Sequence, residues 1–387
     1  MKKNKLLIIS ILLFSLASCN NSNNNSENAD KESTFENSET ISLSKENPNT
    51  ITKLISPSRN ATIRLVTDSI YEYMTNGVFL ELEQDYQREV TLSWKSDSLS
   101  VIEFELSIAT DINFTNAITY TTTKTTIQIT NLLVNTTYFW KVNDSSIRMF
   151  KTEDMTPRYI NVDGINNVRD LGGIKDENDN AIVQGLIYRG SEMNNNFTIT
   201  EEGKKTMLEH LQIKTDIDLR SKKETNNITT SPLGESVNYV NISFFEGYTK
   251  VIADKQKDNY KQIFKLLAKK ESYPIYFHCY LGADRAGTLA AIIEGLMGIS
   301  EENRIKDYEL SNFASNGGRT ELKADGAFIF VAKNISMLYP EDTYQKSVEK
   351  YLMDFAGLTQ NEVTSIKDIL SGKEKVFTPT ICQIIFS

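Results

Sequence analysis

The chain has 387 residues, 40% of them hydrophobic and 24% charged, with a formal charge of −9. That make-up excludes collagen-like, wholly disordered and polytopic membrane proteins, and the acidic balance argues against a nucleic-acid partner gripped by a broad basic face. The length allows two domains with cores of their own, and three widely separated cysteines, Cys19, Cys279 and Cys382, make no disulfide framework.

Lys2, Lys3 and Lys5 precede an apolar run over residues 6–16 that ends in Leu16-Ala17-Ser18-Cys19. This predicts a secretory signal over residues 1–19 whose apolar part is too short to span a bilayer. Small residues followed at once by Cys resemble the lipobox of bacterial lipoproteins. The resemblance implies acylation of Cys19 and a protein anchored to a membrane of the bacterial cell envelope, outside the cytoplasm. A plain cleaved signal with an incidental Cys is the alternative. Residues 20–50, rich in Asn, Ser and Glu with one Phe, cannot bury enough surface to offset their ordering entropy and read as an unstructured tether.

Residues 51–153 predict an all-β sandwich. Val90-Thr-Leu-Ser-Trp94, Glu103-Phe-Glu-Leu-Ser-Ile108, Thr126-Ile-Gln-Ile-Thr130 and Thr137-Tyr-Phe-Trp-Lys-Val142 alternate apolar and polar residues, so each has one buried and one wet face. The stretch resembles a fibronectin type III module, which implies that Trp94 packs beneath Tyr138 after the Leu132 turn. Both tryptophans are assigned to the core. A protein or glycan partner held in a groove lined by Trp140 is the alternative.

Residues 154–387 change texture to helical stretches mixed with strand-like runs, an α/β domain with a central sheet flanked by helices. Tyr273-Pro-Ile-Tyr-Phe277 reads as a strand running into His278-Cys-Tyr-Leu-Gly-Ala-Asp-Arg-Ala-Gly-Thr288. A helix follows with Leu289, Ile292, Ile293, Leu296 and Met297 on one side and Gly298 as its stop. Strand, glycine-containing loop and helix start make an anion site from backbone N–H groups and the helix N-terminus. Tyr280, Leu281, Gly282, Ala283, Ala286 and Gly287 would frame the phosphate. The field that holds a dianion also stabilises a thiolate, which makes Cys279 the nucleophile, and Arg285 supplies a planar fork to two phosphoryl oxygens. Gly282 would let the backbone approach the ligand, and Gly287 would let the helix pack closely. The chemistry is attack of sulfur on phosphorus followed by hydrolysis, with no metal or other cofactor. A rhodanese-type sulfurtransferase has a shorter loop, and a protease dyad fails because adjacent His278 and Cys279 on a strand point to opposite faces.

The segment HCYLGADRAG resembles the signature of cysteine-dependent tyrosine phosphatases, above all the bacterial lineage whose loop reads HCxxGKDRTG. Asn167-Val-Arg169-Asp170-Leu-Gly-Gly173, Tyr188-Arg189-Gly-Ser191, Ile217-Asp218-Leu219-Arg220 followed by Glu224, Asp307-Tyr-Glu-Leu-Ser311 and Phe355-Ala-Gly-Leu-Thr359 agree with it. The resemblance implies a phosphatase acting on phosphorylated protein, peptide or lipid. A leaving group needs an acid. The second domain has no Trp and so no Trp-Pro-Asp loop, and the resemblance assigns the acid to Asp284. Helix capping by Asp284, with Asp170 or Asp218 as acid, is the alternative. Arg169, Asp170, Asp218 and Arg220 are expected to brace loops by ion pairing, and His278 to orient the loop.

Two positions depart from the lineage. Ala283 stands where Lys is frequent, which removes a charge beside the phosphate. Ala286 replaces a hydroxyl that would help the departing thiolate, and Thr288 is two positions further on. The first argues against a polyphosphorylated inositide substrate, and the second predicts a slower enzyme. Residues 241–248, with Phe244, Phe245 and Tyr248, form either a lid over an aryl ring or a strand end with core contacts. Cys382 is read as an incidental buried thiol, or as a resolving partner for Cys279. Protein-tyrosine phosphatase is the leading reading. Its rivals are an inositide phosphatase with the same residues and a surface binding protein on a phosphatase scaffold.

Overall fold

The computed structural model describes residues 38–42, 51–55, 90–95, 103–152, 154, 156–244, 248–313, 328–376 and 378–385. The signal, Cys19 and most of the tether lie outside the described residues, as do Phe245 and its two successors. Among the described residues no helix is long and apolar enough to cross a membrane.

The first part holds strands β1 (Ser38–Ser42), β2 (Ile51–Ile55), β3 (Val90–Lys95), β4 (Phe104–Ala109), β5 (Ile118–Thr122), β6 (Thr126–Thr130), β7 (Thr137–Val142) and β8 (Arg148–Thr152). They form two sheets, β1-β3-β6 extended by the C-terminal strand, and β2-β8-β7-β4-β5. The alternating residues Leu92 and Trp94 of one sheet and Leu106, Ile108, Tyr138 and Trp140 of the other enter one buried cluster, as period-two patterning requires. Trp94 meets Phe104 edge-on and Tyr138 stacks on Phe150. Trp140 is 0% exposed, so it lines no surface groove.

Two expectations are corrected here. The tether contains β1, which pairs in parallel with β3; adding an edge strand satisfies backbone groups, which composition does not register. The C-terminus likewise does not stay with the second domain. The last strand, β15 (Gln383–Ile385), runs antiparallel to β6, and Ile381, Cys382 and Ile384 fill the core between the two sheets. Cys382 is a buried thiol there, in a different cluster from Cys279, and burial pushes it up to about 12. It is not a resolving partner.

The second part is a mixed six-stranded sheet ordered β13-β12-β14-β11-β10-β9, from β9 (Arg158–Tyr159), β10 (Arg169–Asp170), β11 (Ile187–Gly190), β12 (Thr215–Asp218), β13 (Asn238–Asn241) and β14 (Ile275–His278). The four strands from β13 to β11 are parallel, and β10 and β9 add antiparallel. Helices are α1 (Glu201–Lys205), α2 (Lys257–Leu267), α3 (Asp284–Leu296), α4 (Glu301–Glu309), α5 (Ile329–Leu338), α6 (Tyr344–Lys350) and α7 (Gln360–Leu370). Alternation along β14 sends Phe277 and Cys279 into the core shared with α2, α3 and α7, and Tyr276 into the smaller core on the other face. Helix α3 corrects the one-sided pattern expected of it. From Arg285 to Leu296 every residue is buried, because the helix runs through the centre of the helical layer. Gly298 beyond its end has φ +78°, the left-handed stop the sequence predicts.

Candidate active site

The loop from Cys279 to Arg285 joins β14 to α3. Its partners act on its carbonyls. Tyr280 O accepts from the Glu192 amide at 3.1 Å, Leu281 O from Asn167 Nδ2 at 3.0 Å, and the oxygens of Gly282 and Ala283 from one Arg189 nitrogen at 2.8 and 3.0 Å. In a planar trans peptide the next N–H points opposite to the carbonyl. The amides of Leu281, Gly282, Ala283 and Asp284 therefore each face away from these partners.

Arg189 and Asn167 are themselves fixed. Asp307 on α4 accepts from Arg169 Nε at 2.9 Å and pairs with Arg189, and Arg169 also holds Asn167. Burial opposes the Asp307 charge, but the two arginines outweigh it and keep the carboxyl below its usual range. A buried ion network of this kind adds little net stability over an apolar one, yet losing one member strands a charge. Its effect here is geometric, because it turns the loop carbonyls outward.

Gly282 has φ +69°, and a Cβ there would lie 2.3 Å from the carbonyl of Gly190. The residue is therefore required by a left-handed backbone and by the neighbouring strand end. Gly287 does serve packing, since a Cβ would meet the Tyr308 ring at 3.0 Å.

Cys279 is 3% exposed and Arg285 8%. Both Arg285 amino nitrogens donate to Glu224, at 3.0 and 2.7 Å. These bonds, against a smaller opposing effect of burial, lower the Glu224 carboxyl to about 2. Asp284 begins α3, but the capping position is Ala283; the Asp284 Oδ1 instead accepts from the Tyr248 hydroxyl at 2.6 Å. Beside them Phe244, Tyr248, Val251, Gln256, Tyr260 and Thr288 join Asp284 and Arg285 around a small pocket. Thr288 donates its hydroxyl to the Asp284 carbonyl at 3.0 Å, a helix back-bond that commits it there. Phe244 is buried edge-on against Tyr260, which makes it a core residue, while Tyr248 reaches the loop. Tyr280 is 38% exposed at the loop's rim, with Phe197 at 6.4 Å.

The other predicted residues sit apart from this face. Asp170 is occupied by Arg158 at 2.7 Å and by the amides of Gly172 and Gly185, each at 2.7 Å. Asp218 takes Arg220 and the Tyr239 hydroxyl, and Arg220 also pairs with Glu192. His278 lies in register with Asp218, its Nε2 3.0 Å from an Asp216 oxygen. That contact is close but misaligned for a hydrogen bond, since neither atom has a hydrogen-bond partner. Burial works against charging His278, yet Asp218 and Asp216 prevail and raise its pKa. All four braces thus engage ion partners; Arg169 belongs to the network that holds the loop through Asn167 and Asp307, and Arg220 reaches the loop through Glu192. Sequence reasoning gave no site role to Asn167, Arg189, Glu192, Glu224, Asp307 or Tyr308, and offered Tyr248 only as part of a lid. Asn167, Arg189, Glu224, Asp307 and Tyr308 fall in segments that the resemblance had singled out, which was the available signal.

A family match assigns the chain to the phosphatases, phosphoric monoester hydrolases. The family model described as "Tyrosine phosphatase family" matches residues 160–372, and the chain belongs to that family. No curated protein matches significantly. Among solved structures, the core catalytic domain of the PP-IP phosphatase SIW14 from S. cerevisiae, in complex with citrate, is 17% identical. The alignment covers 48% of this chain and 97% of that one, with a TM-score of 0.28. TpbA from P. aeruginosa is 16% identical over 35% of this chain and 75% of that one, with a TM-score of 0.25.

Proposed function

We propose that the chain is a cysteine-dependent protein-tyrosine phosphatase working through a phosphocysteine intermediate. The observation that carries this reading is the set of loop carbonyls held by Glu192, Asn167 and Arg189, which turns the following amides away from those partners to receive a phosphoryl group beside the Glu224-held guanidinium of Arg285. The Cys279 thiolate attacks phosphorus, the bond to the ester oxygen breaks, and Asp284 gives that oxygen its proton. Water then attacks the phosphocysteine, Asp284 takes a proton back, and phosphate leaves as the thiolate re-forms. With Ala286 lacking a hydroxyl and Thr288 bonded to its own helix, neither position assists the departing thiolate, so the second step limits the rate.

Phosphotyrosine suits the rim better than an inositol polyphosphate does. Tyr280 and Phe197 offer aromatic surface, and Ala283 brings no added cation. By sequence, Cys19 carries a lipid anchor that holds the enzyme on the outer side of the cytoplasmic membrane or beyond, and residues 51–153 form a fibronectin type III-like module. The test is hydrolysis of a tyrosine phosphopeptide beside a phosphoinositide in mixed micelles. The peptide is expected to be the better substrate, with Cys279→Ser abolishing turnover and trapping no phosphoenzyme. A faster reaction on the lipid, or unchanged rates in Cys279→Ser, refutes the proposal.

A further inference from the structure

Asp284 is the meeting point of aromatic side chains from two elements beside the loop. Tyr248 opens a 3-10 turn, Tyr248–Ile252, and donates to Asp284 Oδ1 at 2.6 Å. Tyr308 on α4 reaches the same oxygen at 3.4 Å and is hydrogen-bonded to the Tyr248 hydroxyl. Packing fixes both phenols. Phe328 stacks on Tyr308 with 4.2 Å between centroids and 2° between planes, and meets Tyr248 edge-on at 6.0 Å. Tyr308 is buried, and burial followed by the Asp284 charge holds the Tyr248 phenol far above its ordinary range, so its hydroxyl keeps its proton and acts as a donor.

We propose that Tyr248 and Tyr308 are positioning residues that aim the Asp284 carboxyl at the ester oxygen. The inference rests on the reading of Asp284 as the acid. A hydrogen bond donated into Oδ1 places the acid's own proton on Oδ2 and fixes the carboxyl plane, because a donor and a proton do not share one lone pair. The bond also favours the ionised form that must accept a proton from water in the second step. Linked phenols polarise one another and strengthen the contact. Among the described residues, the charged and titratable groups at Asp284 include Tyr248, Tyr308 and the adjacent Arg285 with its partner Glu224.

The experiment compares kcat/KM for phenyl phosphate, whose leaving group needs a proton, with that for p-nitrophenyl phosphate, whose leaving group departs without one. Asp284→Asn should depress the first more than the second by on the order of 100-fold. Tyr248→Phe should give a ratio of about ten-fold in the same direction, since it keeps the acid but loosens it. Tyr308→Phe, which keeps the stack on Phe328, should give a smaller ratio of the same sign. In Tyr248→Phe the alkaline limb of the phenyl phosphate profile should move to higher pH, because a donor to the carboxylate has gone. In an Asp284→Asn background Tyr248→Phe should add no further loss. Equal losses on both substrates, or losses that add to those of Asp284→Asn, overturn the inference. A ratio in Asp284→Asn but none in Tyr248→Phe overturns it while sparing the acid; no ratio in Asp284→Asn removes the acid and this inference together.

Discussion

The Arg285 guanidinium and the Glu224 carboxylate meet through two bonds of 3.0 and 2.7 Å, both to the amino nitrogens at the end of the arginine fork. The pair sets the plane of the group proposed to receive the phosphoryl oxygens. Glu224→Gln keeps the shape and removes the charge, so one of the two donors loses its acceptor. Expected are a kcat lowered about ten-fold, since orientation matters most in the transition state, and inhibition by inorganic phosphate changed by less than about three-fold, because the Arg285 charge remains. A kcat equal to that of the unmodified enzyme would show that Arg285 needs no such support. The pair also carries a pH signature. The Glu224 carboxyl is depressed from 4.5 to about 2, so its contribution to stability is full above pH 4.5 and is lost as pH falls through 2. Melting curves of the two proteins should converge across that window.

Gly282 is the residue least open to change. Alanine there would take on a left-handed backbone, at about 1–3 kcal/mol, and would set its Cβ 2.3 Å from backbone atoms of Gly190. Because both neighbours are main chain, no rotamer relieves the contact. Gly282→Ala should be inactive and melt several degrees lower, and an active variant would mean that the loop has another conformation. Gly287→Ala should be milder, as its new methyl meets the Tyr308 ring at 3.0 Å and an Arg189 amino nitrogen at 3.2 Å, side-chain contacts that must give by only a few tenths of an ångström, yet it should still lower activity because Arg189 holds the loop carbonyls.

The loop was legible because its chemistry is local: Cys279, Gly282, Asp284 and Arg285 lie within seven consecutive residues and need only a strand before and a helix after. The frame was not. Asn167, Arg189, Glu224 and Asp307 come from four separate segments, and only the sheet order brings them to the loop. The same limit explains α3. Its pattern of Leu289, Ile292, Ile293 and Leu296 describes one face correctly, but the burial of Glu294 with no hydrogen-bond partner on either oxygen depends on α4 and α6 closing over it. Strand alternation did predict that His278 and Cys279 part to opposite sides. It could not show that His278 would meet Asp216 and Asp218, which belong to a neighbouring strand.

That meeting predicts a stability profile opposite in sign to that of Glu224. His278 has its pKa raised above 6.5, with burial opposing and Asp218 and Asp216 outweighing it. Its contribution is therefore full below pH 6.5 and is lost as pH rises through the higher folded value. His278→Ala should cost about 3 kcal/mol at the acid end of this range, where it removes the cation facing the buried Asp216 carboxylate. The gap between the two melting curves should narrow as pH rises. A gap that widens with pH would mean that the imidazole is neutral when folded.

The two parts of the chain should unfold together, because the seam between them is built from groups that each side needs. Asn131, with φ +54°, donates to Asn161 O at 3.2 Å and accepts from the Asn161 amide at 3.0 Å, while Arg158 donates to its carbonyl at 3.0 Å. Gln184 makes a second reciprocal pair with the Val134 backbone at 2.9 and 3.1 Å. The C-terminus closes the seam: Tyr138 donates to Ile381 O at 2.5 Å, and Gln383 Nε2 donates to Thr206 at 2.9 Å. Removing residues 379–387 takes Ile381 and Ile384 from the core between the sheets, about 2 kcal/mol for each, and leaves β6 and the Tyr138 hydroxyl without those partners. Calorimetry of the intact protein should show one cooperative transition over the described parts, and the truncated protein should melt well below it. Two separate transitions in the intact protein, with the upper one untouched by truncation, would show that the first part is an independent module and that the C-terminal strand is an ornament of it.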